Sequence, residues 1–275
     1  MVRELRLENR EIRLDMRTKY FLIALSCVAV AAMAEPQNKT DKKGKKQGEW
    51  GKFYPNGNPK YIGNFKDDVP VGEFQHFYEN GRPQCVQTYT DATHSKAVFY
   101  EPDGTTISSQ GSYVGKEKDG KWEFYNKGKL TLVENYKEGK KHGMKKSYNK
   151  DGIMMEEIPY VDGKIHGTAK FYLGDGKLYY TVEYVNGLKE GKYVAYDGTD
   201  KIVETGMHKN DKREGDWTTY NDKGEVIETL VFSAGVLQNA EEINKKRAAA
   251  YQEKENKKGT IQEPNAGSDA EVKTH

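Results

Sequence analysis

Cysteine is nearly missing from this chain: two in 275 residues, Cys27 and Cys85. Cys27 lies in a segment read below as removable. Cys85 alone cannot close an intramolecular disulfide, so the fold cannot rest on a disulfide framework. Net charge is small as well, +2 from 44 basic and 42 acidic residues, which calls for no nucleic-acid partner. Long apolar runs are missing except at Tyr20–Val30, and that run falls short of the about 20 residues a bilayer crossing needs. There is no phosphate loop, no CxxC pair and no G-x-S-x-G elbow. The adjacent acids Glu156 and Glu157 would point to opposite faces of a strand, which is poor geometry for paired acid–base work. No catalytic, cofactor-binding or metal-ligating residue is assigned. His142 and His166 stand one repeat apart and, with Asp162 or Glu190, have metal-ligand chemistry; they read better as corner residues of a repeat.

Mean hydropathy of −0.93 with 31% charged residues leans toward disorder. Against this stand nineteen tyrosines that are not scattered. The stretch Gly120–His142 shows the pattern. Gly120 opens it, Trp122 and Tyr125 follow, and Asn126-Lys127-Gly128 turns the chain. Leu130, Leu132 and Tyr136 then share one parity before a second turn at Lys137-Glu138-Gly139. Two short alternating runs joined by such turns read as a β-hairpin.

The unit recurs eight times, mostly at a spacing of 24 residues, as from Gly48 to Gly72 and from Gly167 to Gly191. The opening position falls at Gly48, Gly72, Lys96, Gly120, Gly143, Gly167, Gly191 and Gly215. Turn glycines follow at Gly57, Gly81, Gly104, Gly128, Gly152, Gly176, Gly198 and Gly224. Aromatics occupy the first strand (Trp50, Phe74, Trp122, Trp217) and the end of the second (Tyr136, Tyr160, Tyr184), with Tyr113 one residue late. A fixed period in this range signals a repeat architecture. One hairpin cannot bury enough apolar surface to offset its own ordering, so neighbours must stack. The expectation is an all-β fold: an elongated, twisted and rolled antiparallel sheet of about eight stacked hairpins over 48–235, with equivalent aromatics in ladders. Irregular modules are expected to be weak joints. These are the third, with Val98 in the aromatic position, and the fifth and sixth, with Lys145 and Ala169 there. The seventh has a shortened Asp197-Gly198 turn and Met207 at the late aromatic position.

Outside the array, Arg17 and Lys19, the apolar run and Ala32-Met33-Ala34 read as a secretory signal peptide within 1–34; the expectation is cleavage after Ala34, with translation starting at Met16 or residues 1–15 forming a long, dispensable leader. Lipidation at Cys27 is the alternative. Residues 35–47 read as a polar, Lys-rich flexible linker, 236–258 as a capping helix rich in Ala, Glu and Lys, and 259–275 as a disordered tail.

The residues Gly120, Trp122, Tyr125, Gly128, Tyr136, Gly139 and Gly143, with the corners Lys141-His142-Gly143 and Lys164-Ile165-His166-Gly167, resemble the MORN repeat in its bacterial variant form. The resemblance implies an elongated sheet of hairpins and no known catalytic activity. It also implies kinship with an antitoxin-like group, and with repeats that act as scaffolds or membrane-associating arms. The functional expectation is a non-catalytic, exported scaffold of the bacterial envelope, periplasmic or secreted, that binds a protein partner through variable positions: Lys121, Glu123, Lys145, Lys170 and Lys192. A membrane-surface module using Lys39–Lys46 and Lys137–Lys146 against anionic lipid is the alternative, and an antitoxin-like component is a further one. No cofactor and no nucleic acid are expected.

Overall fold

The computed structural model describes residues 36–258. The segment 1–34, where a signal peptide is expected and which holds Cys27, and the tail 259–275 lie outside the described residues. The chain divides into two compact units, at Ala92 and Thr93. The first contains β1 (Gly48–Phe53), β2 (Pro59–Lys66), β3 (Val69–Phe77) and β4 (Pro83–Tyr89). The second begins with β5 (His94–Tyr100), β6 (Ile107–Val114), β7 (Glu117–Asn126), β8 (Lys129–Lys137), β9 (Lys140–Lys141) and β10 (Gly143–Tyr148). It continues with β11 (Met154–Val161), β12 (Lys164–Ile165), β13 (Gly167–Tyr172), β14 (Leu178–Val185) and β15 (Leu188–Tyr196). It ends with β16 (Ile202–Lys209), β17 (Lys212–Tyr220), β18 (Val226–Ser233), β19 (Val236–Leu237) and the helix α1 (Ala240–Lys258). Within each unit every strand pairs antiparallel with its sequence neighbour, and the short β9 and β12 are the starts of β10 and β13 set off by one residue. The expected all-β class of antiparallel hairpins is what the chain adopts.

Outside the third and fourth modules two turn types alternate, and both need left-handed backbone. At the first turn Gly152 N–H donates to the Asn149 carbonyl at 3.0 Å, and Asn149 Oδ1 accepts from Asp151 and Ile153 N–H. Gly152, at φ +81°, then takes the left-handed position after a type I turn. The second turn is two residues long with positive φ at both, as at Asp162 and Gly163 (φ +47° and +84°), the mirror-image turn whose twist matches that of the strands.

Pairing register corrects three details of the sequence reading. In every regular module the opening glycine pairs with the late aromatic, as Gly72 with Tyr89 and Gly215 with Phe232. In the third module Tyr113 pairs with Ser95, so Ser95 opens it, not Lys96, and buried Ala97, not Val98, holds the aromatic position. The cause is a first turn one residue longer, Glu101–Thr106, which also makes Tyr113 look late. In the seventh module Gly191 pairs with His208, so His208 and not Met207 is the late ring. Its turn is not shortened: the loop Asp197–Lys201 matches Leu173–Lys177 in length, and Asp200 at φ +65° fills the left-handed position. Residues 36–47 are not a free linker. Thr40 bridges Lys46, Gln47 N–H donates to the Lys39 carbonyl, and the segment lies along β1.

The strands have two distinct faces. One carries the first-strand residue two past the opening position and the late aromatic, and here rings meet neighbouring backbone. Phe74, Trp122 and Trp217 lie over Gly63, Gly111 and Gly206 of the preceding module; a Cβ there would sit 2.1, 2.3 and 2.4 Å from the ring. These glycines have ordinary strand φ, so their role is room for an approaching ring. Ring contacts follow: Trp50 to Phe65 at 6.3 Å, Phe65 to Phe74 at 5.2 Å, Tyr113 to Trp122 at 5.0 Å, Tyr193 to Trp217 at 5.1 Å. Only the last joins equivalent positions, so the expected ladders of identical residues give way to contacts between different positions. The sixth module is no weak joint. Ala169, fully buried, packs between Ile158 and Val182, with Tyr160, Phe171, Tyr180, Tyr184 and Tyr193 around them. Small and large residues thus exchange places across a joint, keeping the volume filled.

Gly206→Ala should lower stability by about 1–3 kcal/mol through overpacking against Trp217, measured by urea unfolding. In a Trp217→Leu background the same change should cost less than half as much, because the clash is the cause. Gly152→Ala meets nothing within 4 Å, so its cost of about 1–2 kcal/mol from φ alone should be unchanged in that background.

Candidate functional site

On the ring-bearing face a cation recurs two residues before the opening position. Lys46 Nζ lies 4.8 Å from the Trp50 ring and 4.7 Å from Phe65. In the second unit Lys118 lies 4.2 Å from Trp122, 4.8 Å from Phe124 and 5.2 Å from Tyr136. Lys141 lies 5.4 Å from Tyr160, and the Arg213 guanidinium 4.1 Å from Trp217. Each such contact contributes about 0.5–2 kcal/mol, so these basic residues hold the rings down.

Between the fourth and fifth modules the ring gives way to charge. Glu134, 5% exposed, stands where other modules have Gly, Ile, Val, Leu or Gln, and Lys145 stands in the ring position of the next first strand. Glu134 accepts hydrogen bonds from Lys141 Nζ at 2.5 Å and Tyr136 Oη at 2.5 Å. Burial pushes its carboxyl up, but these bonds and the charges of Lys141 and Lys118 hold it below the ordinary carboxylate value. The same contacts, after burial, raise Tyr136. Lys118 is lowered by burial, partly offset by Glu134. Lys145 pairs with Glu156 at 2.8 Å.

The opposite face carries a row of half-buried tyrosines at the end of each first strand: Tyr125, Tyr148, Tyr172, Tyr196 and Tyr220 in the second unit. Four of the five variable positions singled out by sequence, Lys121, Glu123, Lys170 and Lys192, fall on this face; Lys145 does not. Lys121 forms an ion pair with Glu123, which also accepts from Gln110 Nε2 at 2.6 Å and Tyr125 Oη at 3.1 Å. Burial raises the Glu123 carboxyl, but these partners leave it below its ordinary value. Lys170 pairs in register with Glu157, which also binds Lys146 at 3.0 Å and Tyr172 Oη at 2.7 Å. Tyr172 is pushed up to about 12 by burial and by that carboxylate. Exposed Lys192 stands apart, its N–H donating to Glu183 at 2.7 Å. At the other end of the row Thr205 meets Tyr220 Oη at 3.2 Å. The row thus alternates acidic, basic and hydroxyl surroundings around a constant tyrosine.

Histidines and cysteine sit within this frame. His142 Nδ1 faces Asp162 at 3.4 Å, and among the described residues no three His, Cys, Asp or Glu side chains converge as a metal site. Cys85 is buried, and burial pushes its thiol up to about 12, a packed residue and not an activated one. His208 packs edge-on to Trp217 at 5.0 Å with its Nδ1 buried and unpartnered. Burial, and then the charges of Lys189 and Arg213, hold its ring below the ordinary histidine value.

Antiparallel two-stranded modules of one length, locked to each other by rings on backbone, define a β-hairpin repeat protein. The MORN repeat variant model matches four of the modules, at residues 46–67, 70–91, 141–162 and 165–186. These four modules are MORN-variant repeats, a type of repeat that generally serves as a binding module. Each match starts at the position two before the opening glycine, where Lys46 and Lys141 lie over their rings. The other modules share the register but carry the departures described above in the third, fourth and seventh. No curated protein matches the chain.

The sequence reading missed the cations Lys118, Lys141 and Arg213 and the in-strand glycines Gly63, Gly111 and Gly206. The signal for both was present: a basic residue at a fixed offset, and glycine inside an alternating run.

Because the folded value of His208 lies below its unfolded one, stability is full above about pH 6.5 and falls as pH drops through that range. His208→Phe, the residue found at this position in the first and eighth modules, should raise the thermal midpoint at pH 5 and flatten its slope between pH 7 and 5. His76, also lowered by burial, should account for what slope remains. Lys141→Met, which strips Glu134 of its cation, should cost about 1–3 kcal/mol at pH 7 and less in acid, as the carboxyl takes up a proton and no longer needs the cation.

Proposed function

We propose that this chain is a non-catalytic scaffold that holds a protein partner in the bacterial cell envelope, and that the tyrosine-bearing face of the second unit is where the partner sits. One observation carries the reading. A tyrosine stands at the same register position in five successive modules, while the side chain beside it changes: Glu123, Lys146, Lys170, Val194, Thr218. Tyrosine offers a large rigid ring with a polar tip and is enriched where proteins meet. Constant anchors with variable neighbours give specificity on an unchanged backbone, as in other repeat arrays. Lys121, Lys170 and Lys192 border this row and supply charge that steers an acidic partner.

Export is part of the proposal. It rests on the basic, apolar and Ala-x-Ala segments of residues 17–34. Cleavage after Ala34 would leave Asn38 and Lys39, which bind β1, in the mature chain. The membrane-surface reading is less well supported, because much of the charge it needs is engaged. Lys46 lies over two rings, Lys141 binds Glu134, Lys145 binds Glu156 and Lys146 binds Glu157.

Photo-crosslinking residues placed at positions 121, 170 and 192 in cells should trap one recurring envelope protein, identified by mass spectrometry, while a probe at Glu204 on the ring-bearing face should not. Equal labelling from both faces, or none, would sink the reading. Flotation of the chain with anionic vesicles at low salt and release at high salt would favour the membrane alternative. Mass spectrometry of the exported chain should find Glu35 at its N-terminus.

A further inference from the structure

The first and last strands of a hairpin array present backbone that has no neighbour, and such edges recruit other strands. Both ends of this chain solve the problem with an asparagine. At the N-terminal end the Asn38 side-chain amide pairs with one backbone residue of β1: its Nδ2 donates to the Gly51 carbonyl at 3.2 Å, and its Oδ1 accepts from Gly51 N–H at 2.8 Å. At the C-terminal end the Asn239 amide binds the backbone of β18 across two residues. Its Oδ1 accepts from Val231 N–H at 3.0 Å, and its Nδ2 donates to the Thr229 carbonyl at 3.0 Å.

The two asparagines hold matching places in the repeat. Inside the array the junction between modules pairs a second strand with the next first strand, as Thr205 with Thr218. Gly51 is the counterpart of Thr218 and Thr229 the counterpart of Thr205, each 24 residues from its equivalent or a multiple of the period close to it. Asn38 therefore stands in for the second strand of a module before the first, and Asn239 for the first strand of a module after the eighth. The surrounding bonds copy the internal junction too. The Lys39 carbonyl accepts from Trp50 Nε1 at 2.9 Å, as the Ser112 and Met207 carbonyls accept from Trp122 and Trp217 at 3.0 and 3.1 Å. Gln238 N–H donates to the Val231 carbonyl at 2.7 Å, as His166 N–H does to Pro159 at 3.0 Å. Asn239 falls 24 residues after Gly215, where a ninth opening glycine would stand, and α1 starts at the next residue. Arg247 of that helix then clamps Glu228 of β18 with two bonds, at 3.0 and 2.7 Å.

We infer that Asn38 and Asn239 are paired terminators that stop the array from growing, and that the strand backbone they cover would otherwise pair head to tail with a second copy of this chain. The occupant follows from the register. Each cap imitates the half-junction that the other end of the same chain presents, so β18 of one copy and β1 of the next form the complementary pair. Such a contact is heterologous and does not close on itself, so it yields open-ended chains, not dimers.

The test uses the full chain with Asn38→Ala, Asn239→Ala and both together, followed by light scattering over a range of concentrations. The parent chain and each single variant should stay monomeric, since one capped end blocks every head-to-tail contact. The double variant should form oligomers whose mean mass grows with concentration. A double variant that keeps its β-sheet circular dichroism and stays monomeric would overturn the inference. So would a dimer from Asn239→Ala alone, which would mean edge-to-edge pairing of like ends, or polymers from the parent chain. Amide exchange gives a readout that needs no association: Gly51 N–H should exchange at least about tenfold faster in Asn38→Ala, and Val231 N–H in Asn239→Ala. Unchanged exchange at both sites in the folded variants would show that the asparagines cap nothing.

Discussion

The contact between an aromatic ring of one module and the bare backbone of the module before it is the constraint on which the rest depends. A two-stranded ribbon is marginal alone. Here the first, third and seventh ribbons leave a gap above the second strand, at Gly63, Gly111 and Gly206, and the next ribbon fills it with Phe74, Trp122 or Trp217. Where the ring is replaced by Ala169, the partner position swells to Ile158 and the next to Val182. Size is conserved across the joint, not within the module. That is why irregular modules remain well packed, and why a substitution at one position is felt by a residue in its neighbour.

The ring-bearing face also explains the placement of charge. A cation two residues before the opening position has little use as a surface charge but much as a lid on the rings beneath it. At the fourth joint, where no ring bridges, Glu134 takes the space and draws Lys141, Lys118 and Tyr136 around it. With one face committed to holding modules together, the proposed partner site falls on the tyrosine face. Its side chains differ between modules while its backbone does not, an arrangement suited to a binding module.

Much of this was legible in the residues, and the places where it was not have physical causes. Turn glycines were legible because left-handed backbone leaves few alternatives. The seventh turn misled for the same reason: Asp200 is one of the few residues that tolerates that conformation, so Gly198 drew the eye to the wrong place. Ser95 and Ala97 were displaced by one position because a turn one residue longer shifts the apparent count without shifting the pairing. Residues 36–47 read as a linker since they have no apolar periodicity. Their order comes from side-chain amide and backbone bonds to an edge strand, which leave no periodic trace. Of the five variable positions, Lys145 was misjudged because it occupies the ring position of its strand, on the face opposite the tyrosines, where it pairs with Glu156.

The sequence by itself determined the period, the two turns per module, the alternation of faces and the rings that would lie inside. Each of these is set by local backbone conformation or by the two-residue repeat of a strand. Tertiary structure alone decided which ring covers which glycine, which lysine answers Glu134, and that asparagines 38 and 239 close the two ends. Those choices depend on hydrogen-bond register between strands of different modules, and register becomes visible only when the strands are side by side.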